Sequence, residues 1–197
     1  MDNLEEYVAT EERALPPLID CAIAHYQLET IHPFEDGNGR MGRLLIPLYL
    51  THHKTADRPL LYLSEFFASN EDEYREGLLR VSTRGEWEAW ISFFLRAVEH
   101  QSTASTAHVR KLATLREHYT ETVRSQTKSQ AALAAIDLIM SDIFVTVPQV
   151  QMYAKSSYGG ARVAVNALQE MGILSPLSDT YPAMWFAETL FHEIYSP

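Results

Sequence analysis

The stretch His32-Pro33-Phe34-Glu35-Asp36-Gly37-Asn38-Gly39-Arg40-Met41-Gly42-Arg43 puts an imidazole, a carboxylate, paired glycines and two arginines within twelve residues. Gly37 and Gly39 let the backbone turn with bare N–H groups, and the apolar run that follows reads as a helix, so the segment has the form of an anion site at a helix N-terminus. Asp36 is a hard oxygen donor suited to Mg²⁺, which usually takes one or two protein carboxylates and completes its shell with water and nucleotide phosphates. Arg40 and Arg43 are three apart and project from one helical face, where they can grip neighbouring phosphates. Each element alone is ordinary: a lone histidine, an Asp-Gly-Asn-Gly turn and a solvated arginine pair are common. Together they point to phosphate chemistry with a base alongside. The stretch lacks the Lys-Ser/Thr ending of a Walker loop and does not follow a strand as a dinucleotide fingerprint would.

Working outward, the helical period dominates. Pro16-Pro17 opens a helix with Leu18, Ala22, Ile23 and Tyr26 on one side, and that helix delivers His32 at or just past its end. The next helix, from about Asn38 to His53, is apolar almost all round, which predicts the centre of a bundle, with a bend at Pro47. Asn70 and Glu73 have capping-box spacing ahead of Tyr74, Leu78 and Leu79. Trp87, Trp90, Ile91, Phe94 and Leu95 follow at helical spacing and read as core. His52 and His53 have no carboxylate at ligand spacing and read as solvated helix-end residues.

The run from His32 to Arg43 resembles the Fic motif, His-x-Phe-x-Asp/Glu-Gly-Asn-Gly-Arg-x-x-Arg, at every defined position. The resemblance continues over about the first hundred residues, through Pro59-Leu60-Leu61-Tyr62-Leu63-Ser64, Asn70-Glu71-Asp72-Glu73-Tyr74 and Gly85-Glu86-Trp87-Glu88-Ala89-Trp90. It implies a protein adenylyltransferase that moves AMP from ATP to a Tyr, Thr or Ser hydroxyl of a target protein. By the same resemblance His32 is the general base; an imidazole, with an unperturbed pKa of about 6.5, is largely neutral at cellular pH and able to accept a proton. Asp36 would hold Mg²⁺ between the α- and β-phosphates. The amides around Gly37, Asn38 and Gly39 would form the anion hole, Arg40 and Arg43 would hold the β- and γ-phosphates, and Tyr74 would lie near the base or ribose. Phe34 is expected to plug into the core and fix the loop.

Three features depart from the family pattern. The β-hairpin flap of full-length Fic proteins precedes the segment that resembles Asp2 to Tyr7, so the chain is expected to lack it, and no Ser/Thr-x-x-x-Glu-Gly/Asn brake motif precedes His32. The alternative to a transferase is therefore a catalytically silent, truncated Fic fragment acting as a nucleotide-binding module or as a regulatory module that binds DNA or protein. Arg75 stands where relatives often have a second tyrosine.

The remainder reads as three zones: a Fic region over 1–100, a helical connector over 101–130 rich in Ser, Thr and Ala, and a small domain over 131–197. In the last zone Ala131 to Met140 reads as a helix, Thr146-Val147-Pro148 as a capped helix start, and Tyr158-Gly159-Gly160 as the turn into a helix over Ala161 to Met171 that Gly172 stops. Ile173-Leu174 and Met184-Trp185-Phe186 read as a two-strand wing. That order resembles the winged helix that many bacterial Fic proteins carry at this end, so the expected fold is mainly α, a Fic-type helical bundle followed by a small winged-helix domain. From Ile136 onward only Lys155 and Arg162 are basic, against six acidic residues. DNA readers present a basic face, so a protein-docking or homodimer role is expected over DNA binding, despite the small patch of Lys155, Ser156, Ser157 and Arg162.

Composition fits this reading. The chain has 197 residues, 46% apolar and 21% charged, with a net charge of −10 that disfavours nonspecific attraction to nucleic acid or anionic membrane. Its single cysteine, Cys21, excludes an internal disulfide. Leu44 to Leu50, interrupted by Pro47, falls far short of the ~20 residues of a membrane span. Met1-Asp2-Asn3-Leu4-Glu5-Glu6 lacks the basic and apolar regions of a signal peptide, so the cytoplasm is the expected compartment.

Overall fold

The computed structural model describes residues 2–10, 14–59 and 61–195; Met1 and Leu60 of the stretches quoted above lie outside the described residues. The chain divides into two compact units, Met1–Thr106 and Ala107–Pro197.

The first unit is helical: α1 (Asp2–Ala9), α2 (Pro17–Ile31), α3 (Asn38–His52), α4 (Ser64–Ser69), α5 (Glu71–Arg84) and the first part of α6 (Trp87–Gln126). Pro16 sits extended at the N-cap of α2 and Pro17 begins the helix, as the fixed proline φ allows. The most enclosed helix is α2 rather than α3. Cys21, Ala22, Ala24 and His25 are fully buried, whereas α3 leaves Met41, Leu44 and Leu48 exposed and turns Gly42, Ile46, Pro47, Tyr49 and Leu50 inward. Small residues explain the difference, since Ala22, Ala24 and Gly42 let neighbouring helices approach α2 closely. Trp90, Phe93 and Phe94 of α6 form the floor, and the Trp90 indole N–H donates to the Ala22 carbonyl at 3.0 Å.

Two local expectations fail for identifiable reasons. Asn70 does not cap α5: its Nδ2 donates back to the Phe66 carbonyl at 2.8 Å, closing α4, and Glu73 is drawn to Arg96 of α6. His53 is not a free helix end, because its Nε2 meets the Val8 carbonyl at 3.0 Å and its ring packs on Tyr49, tying the end of α3 to α1.

In the second unit α6 continues as far as Gln126, with Tyr119 and Val123 buried in the unit's core. No glycine or proline interrupts the chain from Trp87 to Val147, so nothing stops the helix through the stretch expected as a connector. Then come α7 (Gln130–Asp142), β1 (Phe144–Thr146), α8 (Val147–Tyr153), α9 (Tyr158–Glu170), β2 (Ser175–Pro176), β3 (Met184–Phe186) and α10 (Glu188–Tyr195). The capped start expected at Thr146 is a capping box, closed by Thr146 and Gln149 at the head of α8. Ser157 caps α9, so Tyr158-Gly159-Gly160 are its first turn rather than a preceding loop. The sheet is antiparallel in the order β1-β3-β2, with Val145 opposite Trp185. Ile173 and Leu174 are core residues, and the strand is the following Ser175–Pro176. Sequence reading missed β1 and α10. Among the described residues no helix is long and apolar enough to cross a membrane.

Candidate active site

His32 is the C-cap of α2, in the left-handed conformation at φ 51° and ψ 54°, with its N–H on the Leu28 carbonyl at 3.0 Å. Glycine or asparagine usually fills such a position, because a Cβ there costs about 1–2 kcal/mol. The side chain is exposed, and Nδ1 lies 3.4 Å from the Glu29 carbonyl. A carbonyl only accepts, so in this long contact Nδ1 is the donor and Nε2 is the nitrogen without a hydrogen-bond partner among the described residues.

The loop between α2 and α3 is held by Asn38, which is 2% exposed. Its Oδ1 accepts from the Phe34 N–H at 2.9 Å and its Nδ2 donates to the Phe34 carbonyl at 2.6 Å. Phe34 itself is 43% exposed, which corrects the expectation that its ring anchors the loop: an amide closing two main-chain bonds does so without an apolar plug. Asn38→Ala is expected to leave both Phe34 groups unpaired, lowering stability by about 2 kcal/mol in denaturant titration. An unchanged midpoint would mean the loop is held elsewhere.

Gly37 stands at φ 86°, a conformation that a side chain would strain, and turns the chain into α3. No side chain caps α3, so the first-turn amides after Gly37 keep no side-chain partner. The Gly37 N–H itself donates to Asp36 Oδ1 at 2.7 Å. Asp36 Oδ2 pairs with Arg40 Nη2 at 3.1 Å, both side chains being largely exposed; such a surface pair is worth roughly 0–1 kcal/mol and exchanges readily for a ligand. Among the described residues no group of three or more His, Cys, Asp or Glu could hold a metal ion. An exposed single carboxylate at this turn matches Mg²⁺, a hard cation that takes most of its shell from water and phosphate.

A cleft of about 720 Å³ brings together Glu29, His32, Gly39, Arg43, Phe67 and Tyr74. Asp36, Gly37, Asn38 and Arg40 do not line it; they form the turn and helix start beside it. Tyr74 packs its ring on Phe67 at 4.8 Å and places its hydroxyl 3.0 Å from His25 Nε2. His25 Nδ1 in turn meets the Gly42 carbonyl at 2.8 Å. Burial pulls the His25 pKa down to about 4 and pushes that of Tyr74 above the ordinary phenol. Burial also raises Glu29 above the usual carboxylate range, against the opposing influence of the Tyr74 hydroxyl, Arg43 and His32.

Sequence reasoning missed His25, Glu29 and Gly42. A methyl group at Gly42 would overlap Glu29 Oε1 and press on the His25 ring, so the glycine makes room for both. The available signal was spacing: His25 and Glu29 are four apart on a mostly apolar helix, and Glu29 is three before His32.

Comparison with known proteins locates this geometry in sequence space. Residues 1–50 match the Fic/DOC family. A protein adenylyltransferase fic-1 of Caenorhabditis briggsae is 54% identical over 94 residues, which is 47% of this chain and 16% of the relative. Its Caenorhabditis elegans counterpart is 53% identical over 93 residues, 46% of this chain and 16% of the relative. A protein adenylyltransferase Fic of Nematostella vectensis is 32% identical over 100 residues, 51% of this chain and 22% of the relative. A crystal structure of a Fic family protein from Desulfovibrio desulfuricans G20 aligns with a TM-score of 0.49 at 22% identity, covering 94% of this chain and 53% of that one. The chain thus spans about a fifth or less of the length of these curated relatives. The family match over residues 1–50 takes in Glu29, His32, Gly39 and Arg43 of the cleft, and more than half of the residues are shared across the aligned stretch of the nematode proteins, so this part of the chain resembles the Fic/DOC family.

Proposed function

We propose that the first unit transfers AMP from ATP to the hydroxyl of a Tyr, Thr or Ser side chain on a target protein. The observation that supports this most is the placement of His32, with Nε2 free of a hydrogen-bond partner among the described residues, in one cleft with Arg43 and beside the uncapped start of α3. In this reading the acceptor O–H gives its proton to His32 Nε2 as its oxygen bonds to the α-phosphorus of ATP. The bond from that phosphorus to the bridging oxygen breaks, and pyrophosphate leaves with the electron pair. The first-turn amides at Asn38 and Gly39, with Gly37 shaping the turn, would stabilise the charge on the phosphoryl oxygens, and Arg40 and Arg43 would hold the β- and γ-phosphates. Asp36 would hold Mg²⁺, which neutralises phosphate charge when bound. Tyr74 would form the wall on the ribose or base side.

The order helix, strand, helix, helix, strand, strand from α7 to β3 supports reading the second unit as a winged helix. Its acidic balance favours protein docking or a homodimer over DNA as its task, and a cytoplasmic address fits the sequence.

Incubation of the chain with Mg²⁺, α-labelled ATP and a cell lysate tests this reading. Label on protein is expected, and its absence while ATP still binds would favour the silent nucleotide-binding alternative. Arg43→Ala is expected to weaken ATP use about 10- to 150-fold, corresponding to the roughly 1.5–3 kcal/mol of a charge-assisted phosphate contact. Unchanged ATP dependence would move that contact to another residue.

A further inference from the structure

One imidazole joins three of the helices that supply the cleft. His25 lies on α2, seven residues or about two turns before His32, and is completely enclosed. The Gly42 carbonyl on α3 only accepts, so His25 Nδ1 donates to it at 2.8 Å. Among the described residues no carboxylate enters the hydrogen bonds of His25, and burial opposes a charge on it. The ring is therefore neutral, with Nε2 accepting from the Tyr74 hydroxyl on α5 at 3.0 Å. Phe67 and Trp90 pack against the ring at 5.6 and 6.0 Å between centroids and hold its plane.

Both bonded partners belong to the cleft's working parts. The Gly42 carbonyl is in the peptide unit whose nitrogen is that of Arg43, so the bond fixes the backbone from which the guanidinium hangs. That turn of α3 needs an outside hold, because Pro47 has no N–H to give the Arg43 carbonyl and the helix is one bond short there. The absence of a side chain at Gly42 admits the imidazole: a Cβ there would stand 3.0 Å from His25 Cε1. Tyr74 lines the cleft and packs on Phe67, and His25 grips it by its hydroxyl. His25 itself does not line the cleft, so whatever it does for a ligand it does through these two partners.

We propose that His25 is a positioning residue that holds the Arg43 turn of α3 and the Tyr74 ring of α5 at a fixed separation, so that a ligand spanning both, a polyphosphate joined to a nucleoside, meets a cleft already ordered for it. Pre-organisation of this kind raises affinity by removing the cost of ordering the site on binding. The proposal rests on the AMP-transfer reading above and assigns that site its internal spacer.

Two substitutions separate the two bonds. An asparagine amide reaches about as far as Nδ1 and a glutamine amide about as far as Nε2, so His25→Asn keeps the hold on Gly42 and His25→Gln keeps the hold on Tyr74. Affinity of the full chain is measured by calorimetry for ATP and by NMR titration for its two halves, inorganic pyrophosphate and adenosine. His25→Gln is expected to weaken pyrophosphate binding about 3- to 10-fold, the worth of one hydrogen bond, and to leave adenosine within about twofold. His25→Asn is expected to do the reverse, and ATP binding is expected to weaken in both. Tyr74→Phe keeps the ring and loses only the grip, so it is expected to match His25→Asn and to add nothing to it in the double variant. Denaturant midpoints are taken alongside, and if neither His25 variant folds, Tyr74→Phe decides alone: unchanged adenosine and ATP affinity would overturn the proposal. Lowered midpoints with unchanged affinity for all three probes would make His25 a packing residue only, and an equal loss of both half-ligands in both variants would remove the separate holds. A parent chain that binds neither ATP nor pyrophosphate would sink the AMP-transfer reading and the spacer with it, whereas a parent that binds beside variants that bind equally well would sink the spacer alone.

Discussion

Replacing His32 with asparagine is expected to lower AMP transfer by about 10²- to 10⁴-fold, the usual share of a positioned general base, without lowering the unfolding midpoint. The choice of asparagine matters because His32 occupies a left-handed C-cap at φ 51°. Asparagine tolerates that region better than most residues, so the strain of the native histidine is kept or slightly relieved. Alanine would combine loss of the base with a less tolerant backbone. The Leu28 contact uses the main-chain N–H and survives either change. Transfer rates measured with saturating ATP, beside a denaturant midpoint, separate chemistry from folding. A variant that labels targets within a few-fold of the parent rate would remove His32 from the role of base.

The same residue illustrates what was legible beforehand. The motif from His32 to Arg43 placed the histidine at the end of one helix and the glycines and arginines at the start of the next, and α2 and α3 have those ends. Helices mattered only as far as their termini, which proline, glycine and histidine positions announce. Partners chosen by tertiary packing were not legible. Phe34 looked like an anchor, yet the buried amide of Asn38 made both main-chain bonds first. Asn70 and Glu73 had the spacing of a cap, but Phe66 and Arg96 offered competing partners that no local pattern reveals. His25, Glu29 and Gly42 escaped notice because their significance lies in a contact between two helices. A glycine that makes room for a carboxylate on another helix reads, in sequence, as a glycine in a helix. The short β1 was hidden for a different reason: three residues carry too little alternation to be told from the approach to a capped helix.

Trp90→Ala is expected to have the largest effect on stability, about 3–5 kcal/mol for a fully buried Trp side chain, against the 5–15 kcal/mol that a domain typically holds. Trp90 is 0% exposed and joins three helices: it donates to Ala22 of α2, lies against Gly77 of α5 and is carried by α6. Its ring also stacks on His25 at 6.0 Å and 12°, so it keeps water from the imidazole that orders Tyr74. This gives the substitution a pH signature. The folded-state pKa of His25, about 4, lies below its ordinary 6.5, so the unfolded chain binds the extra proton and stability falls as pH drops from about 6.5 toward 4. Opening the Trp90 side to water moves the folded value back toward 6.5 and flattens that slope. Trp90→Phe, which keeps most of the apolar surface but loses the N–H, is expected to lose less stability and to keep the slope. Denaturant unfolding of the three chains between pH 4 and 7, with hydrogen exchange of the α2 amides as the local probe, separates these outcomes. A loss under 1 kcal/mol in Trp90→Ala, or an unaltered acid slope, would show that the shelter of His25, and with it the order of Tyr74, comes from Phe67 and Phe94 instead.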